Sequence, residues 1–483
     1  MGLAFIPIYI KYLGIEAFGL IGLFAIMQAW MALLDFGMTP TINREMARYK
    51  AGSHSAKSIK DLLRSLETIC VVVGVLVILC IWLVSDWLAS NWLRVEKLPV
   101  EHVATAISVI GLVVALRFWE GLYRGAIIGL QKQVWLNVIL SISATLRWAG
   151  AAIVVMIEPE VNMYFLWHGA VSILTITVFV IAIYRWLPKT AEPPSFSADA
   201  IRNVWLFARG MLLTTLLALV LTQIDKVLLS KLISLENFGY YTLAATIAAV
   251  AYQVVIPITQ AYYPKMTEQV TRTEFSNLAA TYHQASQLVT VFLVSISAVM
   301  VAFSYMLLEL WTANPQVAEN TAPIMSILVL GTMFNGLMYM PYMLQLAHGW
   351  PEFAVKVNAV AIVFLVPAIL WATPNYGPIG AAWCWLVLNI GYFTIAIYFM
   401  HKRIMNNEKW LWYIEDLAYP SVAIGIVVVA SYFAYPYSMP PHFQIIWITT
   451  TLALCLAAGI LFSSKISVKN LIQAISLSVR KKN

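Results

Sequence analysis

The chain has 483 residues, of which 61% are hydrophobic and only 11% are charged. Soluble proteins carry about 25% charged residues, so this composition excludes an ordinary soluble domain and predicts a protein embedded in a membrane. The net charge of +7 is spread over short loops, which argues against nucleic-acid binding. The four cysteines lie in apolar runs without metal-ligand or disulfide spacing, and we therefore predict neither a metal site nor a cofactor.

Apolar runs recur along the whole chain and predict an all-α polytopic fold. A helix needs roughly 20 apolar residues to cross a bilayer, so residues 2–10 are too short to span alone. We count them as a truncated first segment and expect the native protein to begin upstream of Met1. With it the prediction gives fourteen segments: 2–10, 19–41, 66–88, 104–129, 135–157, 161–184, 204–230, 238–262, 283–310, 321–346, 354–373, 379–400, 414–434 and 443–462.

The distribution of basic residues predicts the orientation in the membrane. If the N-terminus is cytoplasmic, all but four of the Lys and Arg residues in loops fall on the cytoplasmic side. The four exceptions are Lys11, Arg94, Lys97 and Lys231. Such a bias is the positive-inside rule, and it predicts that both termini are cytoplasmic.

The stretch from Lys11 to Lys50 has a second copy 220 residues later. Nine pairs are identical under this shift, among them Glu16 with Glu236 and Gly19 with Gly239. Internal repeats of this kind are typical of secondary transporters. Because six segments separate the copies, the prediction is two parallel six-helix lobes and two added helices. The predicted boundaries are 1–187 and 204–402 for the lobes, 188–203 for a cytoplasmic linker and 403–483 for the added helices and a basic tail.

The segments YLGIEAFGLIGLFAIMQAWMALLDFGMTPTINREMARY, QIDKVLLSKLISLENFGYYTLAA and LYRGAIIGLQK resemble those of bacterial polysaccharide flippases. These are the O-antigen and oligosaccharide-repeat-unit exporters (Wzx-type) of the multidrug/oligosaccharidyl-lipid/polysaccharide exporter superfamily. The resemblance implies movement of an undecaprenyl-diphosphate-linked oligosaccharide across the bacterial inner membrane by alternating access of two lobes. It also implies a coupling ion, H⁺ or Na⁺, and contacts with polysaccharide assembly proteins.

Ionisable residues inside the segments are the candidate functional residues, because each costs about 2.5–3.5 kcal/mol to insert. The candidates for substrate binding are four arginines: Arg117, Arg124, Arg147 and Arg209. Guanidinium groups pair bidentately with phosphate oxygens, so these residues suit a diphosphate. Arg117, Glu120 and Arg124 share one arc of the fourth segment, and Arg147 lies at a similar depth in the fifth. The alternative is structural: Glu120 neutralises Arg117 or Arg124.

Three acids are candidates for ion coupling or charge pairing: Asp35, Glu120 and Asp225. Either aspartate suits a coupling proton or sodium ion. Each suits equally well a cap on neighbouring backbone or an ion pair with an arginine. His168, a lone imidazole without metal-ligand neighbours, is predicted to be a packing residue.

Two other functions are considered. A drug or cation antiporter of the same superfamily needs acidic sites for cationic substrates, whereas basic residues are in excess in the membrane part of this N-terminal lobe. A membrane polymerase or ligase of polysaccharides holds its active site in a large extracytoplasmic loop, and the longest loop predicted here is cytoplasmic. No nucleophile–base pair or phosphate-binding glycine loop is visible, so we expect no enzymatic activity.

Overall fold

In a computed structural model the protein consists of helices joined by short loops. The structure describes residues 2–35, 37–190, 192–198, 202, 216, 219–220, 222–436 and 440–464. Within these residues the only β contact is an isolated bridge between Arg94 and Ser234. The chain divides into two compact units, Met1–Thr242 and Leu243–Asn483.

The first unit begins with a short 3₁₀ turn, Gly2–Phe5, that leads into the first helix. The long helices are α1 (Ile6–Leu34), α3 (Ala56–Trp87), α4 (Val100–Gly129), α5 (Gln133–Ile157) and α6 (Val161–Trp186), with a shorter α2 (Met38–Lys50). A π-helical turn, Leu88–Trp92, extends α3. Residues 222–232 are helical, and α7 (Leu235–Ala248) begins in this unit.

The second unit contains the remaining helices. They are α8 (Val255–Thr271), α9 (Phe275–Ala302), α10 (Ser304–Thr312), α11 (Pro315–Leu337), α12 (Tyr339–Ala347), α13 (Pro351–Gly391), α14 (Ile397–Ile404), α15 (Lys409–Leu411), α16 (Tyr419–Phe433) and α17 (Pro441–Leu461). A 3₁₀ turn (Ala249–Val254) precedes α8, and π-helical turns (Tyr392–Ala396 and Trp412–Ala418) flank α14 and α15. The last two helices, α16 and α17, pack against each other and against α9.

Eleven helical stretches among the described residues are long and apolar enough to cross a membrane. Two of them contain an internal break, at Gly14 (φ 83°) and Gly377 (φ 63°), and each corresponds to two predicted segments. Most of the predicted segment 204–230 lies outside the described residues. Counted with the two breaks, the described residues agree with thirteen of the fourteen predicted segments, and the segment 204–230 is not tested. The all-α polytopic membrane fold is therefore confirmed.

The predicted second segment, 19–41, is wrong at its C-terminal end. Helix α1 stops at Leu34, and Gly37 adopts a left-handed conformation (φ 73°) before α2 starts at Met38. Glycine tolerates positive φ, whereas a side chain there would be strained. The apolar run in the sequence continues past Asp35, so hydropathy alone does not show this break.

Helix α4 lies at the centre of the first unit and contacts α1, α2, α3 and α6. Two glycines let α2 approach its backbone closely. A Cβ atom on Gly125 would lie 2.7 Å from the carbonyl oxygen of Thr39, and one on Gly129 would clash with the carbonyl of Asn43. Within this packing the Glu120 side chain of α4 is buried in the interior of the unit.

The two copies of the sequence repeat contact each other within the first unit. A Cβ atom on Gly19 would lie 2.5 Å from the carbonyl oxygen of Leu235, and one on Gly239 would clash with the carbonyl of Ile15. Ile15 and Leu235 are themselves equivalent under the shift of 220. The contact is therefore reciprocal, as at a two-fold axis, which agrees with repeats of parallel orientation. The predicted lobe boundaries at 187, 204 and 402 remain a prediction.

Candidate functional site

A buried ion pair joins the fourth and fifth predicted segments. The Arg147 guanidinium on α5 donates to Glu120 on α4 at 3.1 Å and to the Ser172 hydroxyl on α6 at 3.3 Å. The exposed fractions of Arg147 and Glu120 are only 5% and 6%. Glu120 thus pairs with Arg147, and not with Arg117 or Arg124 as the structural alternative supposed. The pair ties three helices together inside the lobe.

Arg117 lies one turn before Glu120 on α4 and is half-buried. It is close enough to Arg147 and Glu120 to interact with their charges. Its Nε atom is buried and has no hydrogen-bond partner among the described residues. Two arginines and one carboxylate leave one net positive charge in this part of the membrane domain.

Further polar atoms without partners surround this charge. The Tyr164 hydroxyl, both His168 ring nitrogens and the Arg147 Nε atom are buried and unpaired in the described part of the chain. The Tyr164 and His168 rings lie 4.3 Å apart between centroids, and both residues interact electrostatically with Arg117 and Arg147. His168 is buried as predicted, but its ring is not satisfied. Unpaired buried donors are rare in folded proteins and need an acceptor, which an anion supplies.

The arginine cluster defined by Arg117, Glu120 and Arg147 does not include every predicted arginine. Arg124 is exposed on the next turns of α4. Arg209 lies outside the described residues, so its predicted role is not tested by the structure.

Asp35 terminates α1 and caps α2. Its carboxylate accepts hydrogen bonds from the Thr39 backbone N–H at 3.2 Å and from the Thr39 hydroxyl at 2.8 Å. No Lys, Arg or His side chain of the described chain lies within ion-pair distance of it. The sequence left open whether Asp35 caps neighbouring backbone or pairs with an arginine, and the structure shows the cap. Asp35 is therefore an acid without a cationic partner in the described chain.

Asp225 has the other arrangement, an ion pair. Its carboxylate lies 3.2 Å from the Lys226 Nζ atom and accepts a hydrogen bond from the Tyr241 hydroxyl at 2.9 Å. The neighbouring ammonium group thus balances the charge of the Asp225 carboxylate. This makes Asp225 a weaker candidate for ion coupling than Asp35.

Glu67 is a buried acid that the sequence analysis missed. It is 6% exposed on α3 and accepts a hydrogen bond from the Tyr184 hydroxyl at 3.0 Å, while Arg64 lies 3.3 Å away. The predicted segment began at residue 66, which placed Glu67 at the membrane surface. Helix α3 begins at Ala56, so Glu67 lies three turns inside the helix. The signal that could have found it is the i, i+3 pair with Arg64.

The Glu16 carboxylate holds the loop between α3 and α4, at the opposite end of the unit from α2. Glu16 is 3% exposed and accepts the backbone N–H groups of Glu96, Lys97 and Leu98 at 2.7–2.9 Å. The Lys97 side chain then donates to Glu236, the repeat equivalent of Glu16, at 2.7 Å. The repeated glutamates therefore fix one loop from two sides.

Comparison with known proteins identifies the family. The family model described as "Polysaccharide biosynthesis protein" matches residues 1–270, and the model described as "MatE" matches residues 211–371. A relative named "Putative O-antigen transporter" from Shigella flexneri is 20% identical over 380 residues, which cover 78% of this chain and 87% of the relative.

Two solved structures show the same fold. The lipid II flippase MurJ in an inward closed conformation matches with a TM-score of 0.71 at 12% identity, over 96% of this chain and 98% of MurJ. A multidrug resistance MATE family transporter of the MOP superfamily, in an inward-facing conformation, matches with a TM-score of 0.66 at 13% identity, over 84% of this chain and 94% of that chain. The chain belongs to the polysaccharide biosynthesis protein family, and its fold is the one seen in these two solved structures.

Proposed function

We propose that this protein moves an undecaprenyl-diphosphate-linked oligosaccharide from the cytoplasmic to the outer leaflet of a bacterial inner membrane. Alternating access exposes the site first to one side and then to the other, and both termini lie in the cytoplasm. The family match and the likeness to an O-antigen transporter support the substrate class.

The arginine cluster is the observation that carries this proposal. A diphosphate needs positive charge and hydrogen-bond donors, and the cluster supplies both. Its net charge is positive, and Arg117 Nε, Tyr164 Oη and one His168 nitrogen are donors without acceptors. Arg117 is the residue we assign to direct phosphate contact, because it is half-buried and has no ion-pair partner in the described chain. Arg147 is assigned to positioning, since Glu120 and Ser172 already occupy its terminal nitrogen.

Ion coupling is the second part of the proposal. Asp35 can take up a proton without breaking an ion pair, and its protonation leaves one acceptor oxygen for the N–H and hydroxyl groups of Thr39. Protonation therefore weakens the cap on α2, and the full loss of a cap costs about 1 kcal/mol. Asp225 and Glu120 are the other acids assigned to coupling or charge balance. Export by Asp35→Asn should then no longer depend on the proton or sodium gradient, whereas export by wild-type protein should.

Deletion of the gene followed by extraction of lipid-linked saccharides tests the proposal in cells. We expect undecaprenyl-linked repeat units to accumulate in the inner leaflet and complementation by the wild-type gene to restore export. The saccharide that accumulates also identifies the substrate. Unchanged lipid-linked saccharides in the deletion strain would refute the proposed substrate.

A drug or cation antiporter is the second candidate, favoured by the MatE match over residues 211–371. Cationic substrates require acids without a cationic partner, and Asp35 is such an acid in the described part of the first unit. Drug sensitivity of the deletion strain separates the two functions. Increased sensitivity to lipophilic cations with normal lipid-linked saccharides would support the antiporter.

A further inference from the structure

A second buried ionisable cluster lies in the second unit, away from the arginine cluster. His283 is on α9, Asp416 is in the π-helical turn before α16, and Glu408 is in the loop before α15. His283 Nδ1 lies 2.6 Å from Asp416 Oδ2, and His283 Nε2 lies 3.0 Å from Glu408 Oε2. The side chains of His283 and Asp416 are 7% and 1% exposed, and that of Glu408 is 27% exposed.

This geometry fixes the number of protons in the cluster. A carboxylate only accepts hydrogen bonds, and a neutral imidazole donates through one nitrogen and accepts through the other. Both nitrogens of His283 face carboxylate oxygens, so two hydrogens must lie between the three groups. Either the ring is an imidazolium, or the ring is neutral and one carboxyl group is protonated. The cluster has a charge of −1 in both cases, whereas the same side chains separated in water above about pH 7 carry about −2.

Amide and aromatic side chains surround the cluster. The second oxygen of Asp416 accepts from the Gln287 side chain at 3.0 Å, and the Tyr282 ring lies 5.4 Å from the His283 ring between centroids. Lys409 stacks on the Tyr398 and Trp410 rings, each 4.6 Å from its Nζ atom. Among the described residues no Lys or Arg forms an ion pair with either acid. The other titratable groups that face the cluster are Tyr282, His401, Tyr413 and Glu415.

We propose that His283, Asp416 and Glu408 form a proton-binding site that fastens the segment 405–418 to α9. This segment leads into α16, and α16 and α17 both pack on α9. The bound proton therefore holds α16 and α17 against α9 within the second unit. The site shares no residue with the arginine cluster and does not depend on the proposed substrate.

Stability as a function of pH tests the proposal on the purified full chain. A native state that holds one extra proton loses stability as pH rises above the ordinary His value of about 6.5, by up to tenfold in the folding equilibrium constant per pH unit. We expect this loss in the wild-type protein as the pH rises above about 6.5. His102→Asn, a change at an exposed histidine, should keep the wild-type slope.

Glu408→Gln is the decisive variant, because an amide of the same shape can donate as well as accept. A neutral His283 then satisfies both contacts, so the extra proton is no longer needed. We expect Glu408→Gln to fold and to lose the slope, and ¹⁵N spectra of the His283 ring to show which group carries the proton in wild-type protein. Parallel pH profiles for wild type and Glu408→Gln would overturn the proposal. Glu408 and His283 are not part of the arginine cluster, so Glu408→Gln should still export substrate at neutral pH. Export by this variant and its pH profile are therefore separate results: the pH profile tests the proton-binding site, and export tests the proposed function.

Discussion

Gly19 and Gly239, separated by 220 residues, hold equivalent positions in a reciprocal contact. Each glycine faces the backbone carbonyl of the residue four positions before its repeat partner, Leu235 for Gly19 and Ile15 for Gly239. The next turn continues the symmetry, because Gly22 packs against Thr242, its own equivalent under the same shift. The repeat in the sequence is therefore a structural interface in which neither glycine has room for a side chain.

Gly239→Ala should disrupt this interface. The added Cβ atom meets a backbone oxygen, which cannot move aside as a flexible side chain would. We expect a loss of about 1–3 kcal/mol of stability and a loss of export activity. Gly391→Ala is the matched control, since nothing lies within 4 Å of a Cβ atom at that position. Thermal unfolding and export in complementing cells measure both effects, and equal behaviour of the two variants would contradict the contact.

Glu16 should contribute more to the stability of the fold than the neighbouring ion pair between Lys97 and Glu236. Glu16→Gln keeps one acceptor oxygen for three backbone N–H groups, so we expect a cost of about 1–3 kcal/mol. Lys97→Ala removes an ion pair whose lysine side chain is 61% exposed, and should cost below about 1 kcal/mol. Unfolding midpoints of the two variants under identical detergent conditions check the order. The reverse order would show that the Lys97–Glu236 pair, and not Glu16, holds the loop.

Glu45 on α2 should make stability depend on acidic pH. Burial raises the pKa of Glu45, but hydrogen bonds and charges from His54, Arg44 and Arg48 outweigh burial and hold the pKa below its ordinary value of 4.5. A depressed pKa contributes stability above the unfolded-state value, and this contribution is lost as pH falls through the folded-state value. Glu45→Gln should therefore be less stable than wild type at pH 7 by about 1–3 kcal/mol, and the difference should shrink as the pH falls below about 4.5. A difference that persists unchanged at acidic pH would exclude the charge as its cause.

Substitutions at Glu120 and Arg147 should have non-additive effects on stability, because the two side chains form one ion pair. Arg147→Ala leaves a buried carboxylate without its cation, which costs about 3–5 kcal/mol, and membrane abundance should fall. Removing both charges with Glu120→Gln and Arg147→Met avoids the orphaned carboxylate, so the double variant should regain much of that loss. If the losses of Glu120→Gln and Arg147→Met measured singly added up to the loss of the double variant, the two side chains would act independently.

Periodicity and repeats predicted the fold well, because they depend on sequence-local properties. Segment length, the arc shared by Arg117 and Glu120, and the equivalence of Gly19 with Gly239 could all be counted along the chain. The ion-pair partner of Glu120 could not be predicted in this way, since the pair depends on how α4 packs against α5. Glu67 was missed because helix α3 extends ten residues beyond its apolar run on the N-terminal side.

The cluster around His283 was even harder to predict from the sequence. His283 and Asp416 are 133 residues apart, and neither lies in a motif or in the repeat. Only tertiary packing brings the imidazole between two acids. The break at Gly37 was also invisible to hydropathy, because it depends on one left-handed residue within an apolar stretch.

Transbilayer movement by purified protein tests the central claim most directly. Proteoliposomes that contain undecaprenyl-diphosphate oligosaccharide in one leaflet are treated with an impermeant glycosidase, and the exposed fraction is followed over time. Wild-type protein and Arg272→Ala, a change at an exposed surface arginine, should move the lipid at equal rates. Arg117→Ala, which leaves no buried acid unpaired, should reduce the rate on the order of 10- to 100-fold, and Arg117→Lys should recover only part of it. Movement by Arg117→Ala at the wild-type rate would contradict the role of the arginine cluster, and no movement by wild-type protein would contradict the proposed function itself.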